Sequence, residues 1–335
     1  MRTLKLMHRH GREGWSTMEK LYFGVEIGGT KQQIAVCNEH GQIVELLSEK
    51  IELRNGAADI LTWLKRNISV LRERYPQVSA VGVGFGGPLE TQTGRVLISV
   101  QVPGWKDFEL KTWFEATFGL PTTVVVDTVA GGYAELKLGS GRKSDKFFYT
   151  NIGTGIGGAL FVDGKTWDGI GYGAAFLGNT YTADWTADVT GAVDRIEALC
   201  SGVAIERRLR SDGYVPQDSL LQTLCGGDRT ALDCRVLRTA AEQGDAFAQE
   251  ELDRVGYTFG IGVANVVSLL GVDTVSIGGG LANLGEWLRK PVEKYAEQYV
   301  FISGKDRFKV VICSLLDNNV PIGAALYARD GFHAV

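Results

Sequence analysis

The apolar residues of this chain first occur in short runs that are separated by glycine-containing turns. Residues 21–27, 33–38 and 43–51 form three such runs, with the turn sequences GGT and EHG between them. Short β-rich runs bounded by turn residues predict strands that pair as an antiparallel meander. We therefore predict a three-stranded sheet at the start of the fold.

A helix, a strand, a second helix and another strand are predicted to follow this meander. Residues 57–75 carry apolar side chains at helical spacing and end before Pro76, and residues 108–118 also look helical. Residues 80–87 and 122–127 are apolar runs that indicate buried strands. This order of elements is that of an RNase H-like lobe.

The same order of strands and glycine turns begins again near residue 146. Residues 146–165 predict a strand, a glycine loop and a second strand, and residues 274–280 and 310–316 predict two further strands. Helices are predicted over residues 193–209, 232–243 and 246–270, and from about Pro321 onwards. We predict an α/β fold of two RNase H-like lobes with a cleft between them.

The predicted lobes divide the chain unequally. Residues 1–20 are polar, basic and without clear periodicity, so they are interpreted as an N-terminal tail. Residues 21–128 are predicted to form the first lobe and residues 129–321 a larger second lobe. The last helix, at about 322–332, is predicted to pack back on the first lobe.

Composition and charge exclude several classes of partner. The chain has 335 residues, of which 44% are hydrophobic, and a net charge of -4. Without a basic stripe along any predicted helix, nucleic acid is not the expected partner. No apolar run reaches the roughly 18 to 20 residues that span a bilayer, so no membrane association is expected either.

The cysteines and histidines narrow the chemistry further. The five cysteines are odd in number and never spaced as C-x-x-C, which predicts free thiols in a reducing cytoplasm. None of the four histidines lies beside a candidate site. This distribution argues against a Ser-His-Asp triad and against a histidine-rich zinc site.

Glycine is the residue type that stands out, because there are 44 in 335 residues, about 13%, where roughly 7% is usual. A first group forms the turn Gly28, Gly29 and Thr30 between two predicted strands. Backbone N–H groups and the threonine hydroxyl of such a turn can face phosphate oxygens, and Glu26 could hold Mg²⁺ through water. A tight hairpin with a surface carboxylate explains the same residues equally well.

A second glycine group has the same design. Gly153, Thr154, Gly155 and Gly157 lie between two predicted strands in the sequence NIGTGIGG. The motif lacks the Gly-Lys-Ser/Thr ending of a P-loop, and no helix follows as in a Rossmann fingerprint. Two opposed glycine hairpins would suit a nucleotide held between two lobes.

Two further features follow predicted strands. Gly278, Gly279 and Gly280 end the strand TVSI, where a flat nucleoside could lie against the backbone, although an ordinary strand-end turn fits as well. Asp127 ends the run VVVD and leads into a helical stretch. A carboxylate near a helix N-terminus is favoured in its ionised form and could accept a proton from a substrate hydroxyl. A plain N-cap is the alternative.

The order of these motifs resembles the ROK family of sugar kinases, within the hexokinase and actin superfamily. The resemblance covers roughly residues 21–330 and depends on segments that occur in the family's order. These segments are GVEIGGTK, GVGFGGP, VPGW, VVVD, NIGTGIGGALFVDGK, IEALCSG, VSIGGG and PIGAA. It implies an actin-like ATPase fold, ATP and Mg²⁺ as cofactors, and, by analogy, a homodimer.

The resemblance also implies roles for individual residues. Asp127 would be the general base, and Glu26 would contact Mg²⁺ through water. The implied ATP-binding residues are Glu26, Gly28, Gly29, Thr30, Lys31, Gly153, Thr154, Gly155, Gly157, Gly278, Gly279 and Gly280. The implied substrate-binding residues are Gly87, Pro88, Gln101, Val126, Asp127, Phe176, Asn179 and Glu197.

Three of these positions depart from the family pattern. The family usually has Asn before the catalytic Asp, where this chain has Val126, and a Glu and a His where it has Phe176 and Asn179. Phenylalanine cannot accept a hydrogen bond, and a buried hydroxyl left unpaired costs about 1–3 kcal/mol. These changes argue either against ordinary glucose as a tight substrate or for a different local alignment with the family pattern. Residues 184–195 contain no cysteine, so structural zinc is not expected.

Three functions are compatible with these observations. The leading hypothesis is an ATP-dependent kinase that phosphorylates a hydroxyl of a sugar or sugar-like compound. The second is a catalytically degenerate sugar or nucleotide sensor on the same fold; with only residues 1–20 before the first motif, DNA binding is not expected. The third, an ATPase that activates a partner enzyme, would need clustered cysteines if it were of the iron-sulfur type.

Overall fold

A computed structural model describes residues 19–99, 101–332 and 334. The predicted N-terminal tail therefore lies outside the described residues, except for Glu19 and Lys20. Within the described residues, no helix combines the length and the apolar character needed to cross a bilayer.

The elements of the first half follow the predicted order, with a small additional sheet. They are β1 (Leu21–Ile27), β2 (Lys31–Asn38), β3 (Ile43–Lys50), α1 (Gly56–Arg74), β4 (Val78–Phe85), β5 (Leu89–Glu90), β6 (Arg95–Ile98), β7 (Lys106–Glu109), α2 (Leu110–Phe118), β8 (Thr122–Val126) and α3 (Asp127–Leu138). The large sheet has the order β3-β2-β1-β4-β8. β1 is antiparallel to β2 and parallel to β4, and β4 is parallel to β8.

The second half contains a sheet of the same pattern and most of the helices. Its elements are β9 (Lys146–Ile152), β10 (Ile156–Val162), β11 (Lys165–Trp167), β12 (Tyr181–Ala183), β13 (Val193–Arg195), α4 (Ile196–Cys200), α5 (Gly202–Arg210), α6 (Leu220–Leu224), α7 (Cys234–Glu242), α8 (Ala246–Leu270), β14 (Thr274–Gly278), α9 (Glu286–Tyr299), β15 (Lys309–Ile312) and α10 (Asn319–Asp330).

The two large sheets repeat one topology. The second sheet has the order β11-β10-β9-β14-β15, in which an antiparallel meander is extended by two parallel strands, as in the first sheet. Two large clusters of buried apolar side chains surround the sheets, and the cluster of the first sheet also includes Phe147 and Tyr149 of β9 and Ala159 and Phe161 of β10. The predicted α/β fold of two RNase H-like lobes is confirmed, whereas the boundary at residue 128 stays a prediction.

Two predicted helices have different limits in the structure. Residues 108–109 belong to β7, because Phe108 pairs with Val96 of β6, and the helix begins at Leu110. The stretch predicted as one helix over 193–209 is a short strand and two helices, α4 and α5. The break is at Ser201, whose hydroxyl caps α5 by accepting from the N–H of Ala204.

The last helix, α10, packs against the first sheet at backbone distance. Gly24 of β1 and Gly82 of β4 are register partners, and both face α10. A Cβ atom placed on Gly24 would lie 1.8 Å from the carbonyl oxygen of Pro321, and one on Gly82 would lie 1.8 Å from that of Ala324. In the same way, a Cβ atom placed on Gly323 of α10 would lie 1.7 Å from the carbonyl oxygen of Ala130 in α3.

The five cysteines are free thiols, and four of them are buried. Cys37 of β2 is fully buried beneath α10, in a small cluster that includes Ala325. Cys200 at the end of α4 is fully buried in the core of the second lobe, as expected for a packing residue. Burial raises the pKa of each of these two thiols to about 12.

We expect Gly82→Ala to destabilise the protein by about 2–3 kcal/mol, because the added methyl group meets a main-chain oxygen that cannot rotate away. Urea unfolding, followed by circular dichroism, measures the effect. Gly280→Ala is the control, because a Cβ atom at Gly280 has open space around it and should change stability by less than about 1 kcal/mol. Equal stability of the two variants would contradict the backbone packing of α10.

Candidate active site

The turn between β1 and β2 is formed by Gly28, Gly29 and Thr30. The N–H of Gly28 donates to the carbonyl of Lys31 at 3.1 Å, and the Thr30 side chain is exposed. Gly29 lies directly against the side chain of Gln101, since a Cβ atom placed on Gly29 would lie 1.7 Å from Oε1 of Gln101. Glycine at this position therefore permits another group to approach the turn closely.

Glu26, near the end of β1, is a buried carboxylate and not the surface group that a simple hairpin would carry. It is 7% exposed, and its Oε2 atom lies 3.3 Å from Nζ of Lys31. Burial raises the pKa of Glu26 to about 7, with Lys31 opposing the shift and the charge of Asp127 adding to it. Lys31 also donates to Oε1 of Gln33 and to the carbonyl of Asp317, each at 3.1 Å.

Asp127 is the first residue of α3, and Val126 occupies the N-cap position. Its Oδ1 atom accepts a hydrogen bond from the N–H of Thr128 at 2.7 Å. Burial raises the pKa of Asp127 to about 6, and the Thr128 N–H only partly offsets this. Desolvation therefore outweighs the stabilisation of the ionised form that the helix N-terminus and this hydrogen bond provide.

Gly86 brings the Asp127 carboxylate close to the first glycine turn. A Cβ atom placed on Gly86 would lie 3.3 Å from Oδ2 of Asp127 and 3.5 Å from Cα of Gly28. The N–H of Gly86 donates to the carbonyl of Ile27 at 2.8 Å, which fixes this arrangement.

The turn between β9 and β10 is held by its own hydrogen bonds and by Glu197. The N–H of Gly153 donates to the carbonyl of Gly155 at 2.9 Å. Oε2 of Glu197 accepts from the N–H of Ile156 at 2.7 Å, and a Cβ atom on Gly155 would lie 2.5 Å from the same oxygen. Thr154 projects into solvent at the tip of the turn.

The second turn also contacts the residue that follows Asp127. A Cβ atom placed on Gly157 would lie 2.4 Å from Cγ2 of Thr128, and the N–H of Gly157 donates to Oδ1 of Asn151 at 2.9 Å. Asp127 is therefore flanked by the first turn through Gly86 and by the second through Thr128.

The three-glycine segment adjoins the second turn, as the strand order requires. Gly278 of β14 is the register partner of Asn151 in β9. Gly279 has a φ of 78°, which favours glycine. A Cβ atom placed on Gly153 would lie 4.0 Å from the backbone nitrogen of Gly280.

Gln101 reaches both glycine turns. Its Oε1 atom lies against Gly29, and its Nε2 atom would lie 3.9 Å from a Cβ atom placed on Gly155. The loop that carries it is held by the hydroxyl of Ser99, which accepts from the N–H groups of Gln101 at 3.3 Å and Val102 at 3.1 Å. The side-chain amide of Gln101 therefore lies between the two turns.

The other predicted substrate-binding residues are only partly brought together. Val126 and Phe176 converge, because a Cβ atom placed on Gly173 would lie 3.4 Å from Cγ2 of Val126 and 3.1 Å from Cζ of Phe176. The side chain of Asn179 is exposed and accepts a hydrogen bond from Arg195 at 3.3 Å.

Gly87 and Pro88 lie in the segment that connects β4 with β5 in the first lobe. The N–H of Gly87 donates to the carbonyl of Phe85 at 3.0 Å, and the carbonyl of Pro88 accepts from Leu97 at 3.1 Å.

Sequence patterns do not reveal the contribution of Thr128, Gly86 and Gly173. The Thr128 hydroxyl is buried beside Asp127 and, among the described residues, has no hydrogen-bond partner. Its only signal in the sequence is its position after Asp127. Gly86 and Gly173 matter because their missing side chains leave room for Asp127 and Phe176, which depends on the tertiary structure.

The part of the chain that the structure describes contains no cluster of three or more His, Cys, Asp or Glu side chains that could hold a metal ion directly. Glu26 is instead a single buried carboxylate, and its Oε2 atom lies 3.3 Å from Nζ of Lys31.

Comparisons with known proteins identify the family of this chain. The model of the ROK family matches residues 22–331. The chain belongs to the ROK family. The family predicted from the order of the sequence motifs is therefore confirmed.

Relatives in the ROK family include both kinases and regulators. The glucokinase of Thermotoga maritima is 29% identical over 311 residues, covering 92% of this chain and 96% of the relative. The xylose repressor of Caldicellulosiruptor bescii is 23% identical over 313 residues, covering 90% of this chain and 76% of the relative.

A solved ROK structure has the same fold. The glucokinase of Streptomyces griseus, crystallised with glucose and AMPPNP, superposes with a TM-score of 0.79 at 26% identity. The superposition covers 93% of this chain and 100% of the glucokinase.

The raised pKa of Asp127 makes the stability of the folded protein depend on pH. The folded state holds this proton more tightly than the unfolded chain, so stability is lost as the pH rises through about 6. We expect Asp127→Asn to unfold at a higher temperature than the wild type at pH 8, with a smaller difference at pH 5. Differential scanning calorimetry at both values tests this.

Asp188→Asn is the matched control, because it neutralises an exposed carboxylate in a loop. It should change the unfolding temperature little at either pH. An Asp127→Asn variant that is less stable than the wild type at pH 8 would show that desolvation is not the dominant influence on this carboxylate.

Proposed function

We propose that this protein is an ATP-dependent kinase that transfers a phosphoryl group to a hydroxyl of a sugar or sugar-like molecule. The observation that carries the proposal is the position of Asp127, a carboxylate flanked by Gly86 of the first lobe and by Thr128, which contacts the second glycine turn. The glucokinase relatives and the fold of a glucokinase crystallised with AMPPNP support it.

We propose that the two glycine turns hold the phosphates of ATP. The close contacts of Gln101 with Gly29 and of Glu197 with Gly155 show that these glycines admit another group to the backbone of each turn, as anion binding by backbone amides requires. The proposed contacts are made by Gly28, Gly29, Thr30, Lys31, Gly153, Thr154, Gly155 and Gly157, with Gly278, Gly279 and Gly280 against the nucleoside. The bound nucleotide supplies the phosphoryl group.

Glu26 fits a role toward Mg²⁺ through water. The carboxylate is buried, its Oε2 atom lies 3.3 Å from Nζ of Lys31, and burial raises its pKa to about 7. A nearby cation favours the ionised carboxylate. Mg²⁺ usually keeps several waters and takes one or two carboxylates, which suits a single acidic side chain at this turn.

We propose that Asp127 orients the acceptor hydroxyl and accepts its proton. The Thr128 N–H occupies Oδ1 of Asp127, which leaves Oδ2 beside Gly86 for the acceptor. A pKa of about 6 keeps most of this carboxylate ionised at pH 7, while making it a better base than an exposed aspartate. Closure of the lobes would exclude water from the transfer.

The acceptor is proposed to be sugar-like and to differ from glucose where it meets Val126 and Phe176. These two side chains converge at Gly173 and offer no hydrogen bond. Gln101, Glu197, Asn179, Gly87 and Pro88 are the remaining proposed contacts. We further propose, on family analogy and on the free thiols, that the protein is a cytoplasmic homodimer.

A regulator without catalysis is the second candidate. The apolar side chains of Val126 and Phe176, and the similarity to a xylose repressor, favour it. ATP consumption measured across sugars, amino sugars and polyols separates the two functions. Phosphorylation of any acceptor supports the kinase, and the absence of phosphorylation across the whole panel supports the regulator.

Asp127→Asn should lower phosphoryl transfer at least about a hundredfold, because the amide cannot accept the proton, and should leave ATP affinity within about twofold. Coupled measurement of ADP release and calorimetric titration with AMPPNP test the two effects. Glu73→Gln, which neutralises an exposed carboxylate of α1, is the matched control. Undiminished turnover by Asp127→Asn would overturn the assignment of the base.

Replacing Val126 by Asn and Phe176 by Glu together should raise kcat/KM for glucose at least about tenfold, because a hydrogen bond to a charged group contributes about 1.5–3 kcal/mol. The double variant Val126→Ile and Phe176→Leu keeps both side chains apolar and is the control. If the two double variants use glucose equally, then these positions do not select the acceptor.

A further inference from the structure

The side chain of Trp185 packs the largely exposed hairpin of β12 and β13 against the second lobe. It lies between β12 and β13, in a segment where Tyr181, Val189 and Val193 are each more than 60% exposed. The Trp185 indole is half-buried and packs against the core of the second lobe. The hairpin connects the segment that contains Phe176 and Asn179 with the helix that carries Glu197.

The indole is held on its edge and on its face. Its Nε1–H donates to the hydroxyl of Thr258 in α8 at 2.9 Å. The guanidinium carbon of Arg208 lies 4.8 Å from the ring centroid, and that of Arg254 lies 5.6 Å from it. Stacked arginines and a satisfied indole N–H fix the position of the ring.

Arg208 is itself immobilised in the core. Its Nε and Nη2 atoms donate to Oε1 of Glu251 at 3.0 and 2.7 Å, and the hydroxyl of Tyr214 donates to Oε2 of Glu251 at 2.6 Å. Glu251 is 1% exposed. Nη1 of Arg208 donates to the carbonyl of Leu199 at 2.6 Å, which ties α4 to the same network.

The contacts of the hairpin continue to the second glycine turn. The N–H of Ile196 donates to the carbonyl of Thr180 at 2.9 Å and closes the base of the hairpin. The next residue, Glu197, accepts from the N–H of Ile156 at 2.7 Å. A continuous path of contacts therefore connects Thr258 in α8, through Trp185 and the hairpin, with the turn beside Asp127.

We propose that Trp185 is a positioning residue that holds the hairpin so that Glu197 and the segment from Phe176 to Asn179 keep the geometry of the acceptor site. The kinetic part of this inference rests on the proposed function, because it requires an acceptor. The structural part does not, because it concerns the protection of two backbone amides, those of Ile156 and Ile196.

Hydrogen exchange of the full-length protein, read by mass spectrometry, tests the structural part. Trp185→Ala should speed exchange about tenfold or more in peptides that cover residues 150–157 and 180–197, with β1 and β2 unchanged. Trp185→Phe keeps stacking on Arg208 but loses the bond to Thr258, so it should be intermediate. Trp167→Ala removes a half-exposed tryptophan elsewhere in the second lobe and should match the wild type.

Steady-state kinetics with ATP and an acceptor that the wild type phosphorylates test the kinetic part. Trp185→Ala should raise the acceptor KM about tenfold and leave the ATP KM within about twofold. Unchanged exchange in both peptides, or an equal rise of both KM values with a general loss of protection, would overturn the proposal. A wild type without transfer would refute the proposed function, while exchange would still decide the role of Trp185.

Discussion

The close backbone contacts of α10, made at Gly24, at Gly82 and at its own Gly323, are the constraint on which the arrangement of the two lobes depends. α10 follows β15 of the second sheet, yet it lies on β1 and β4 of the first sheet and against α3. Because α3 begins at Asp127, the same contact sets the distance of this carboxylate from both glycine turns. Any side chain at Gly24 or Gly82 would push the helix outward and move the site with it.

The sequence predicted most of the topology, because the order of its elements is local information. The meander, the crossover helices and the repeat of the pattern follow from apolar spacing and glycine turns. It misplaced the start of α2, because Phe108 enters a strand only when β6 is beside it. It also missed the break at Ser201, and the spacing of apolar residues does not indicate α9, which contains Pro291.

The candidate site was predicted in its composition and less well in its electrostatics. Each glycine group and Asp127 could be identified from its position after a strand. Burial cannot be read from those positions, so Glu26 looked equally compatible with a surface group and Asp127 with an ordinary acidic aspartate. The convergence of Val126 and Phe176, and the reach of Gln101 across both turns, are tertiary facts without a local signature.

The buried thiols of Cys37 and Cys200 can report on the opening of the first and the second lobe separately. Only a thiolate attacks an alkylating reagent, and a pKa of about 12 leaves almost none of it at neutral pH in the folded protein. Modification of Cys37 must therefore wait until the first sheet opens beneath α10, and modification of Cys200 until the core around α4 opens. Their separate labelling rates would reveal whether the two lobes open together or one before the other.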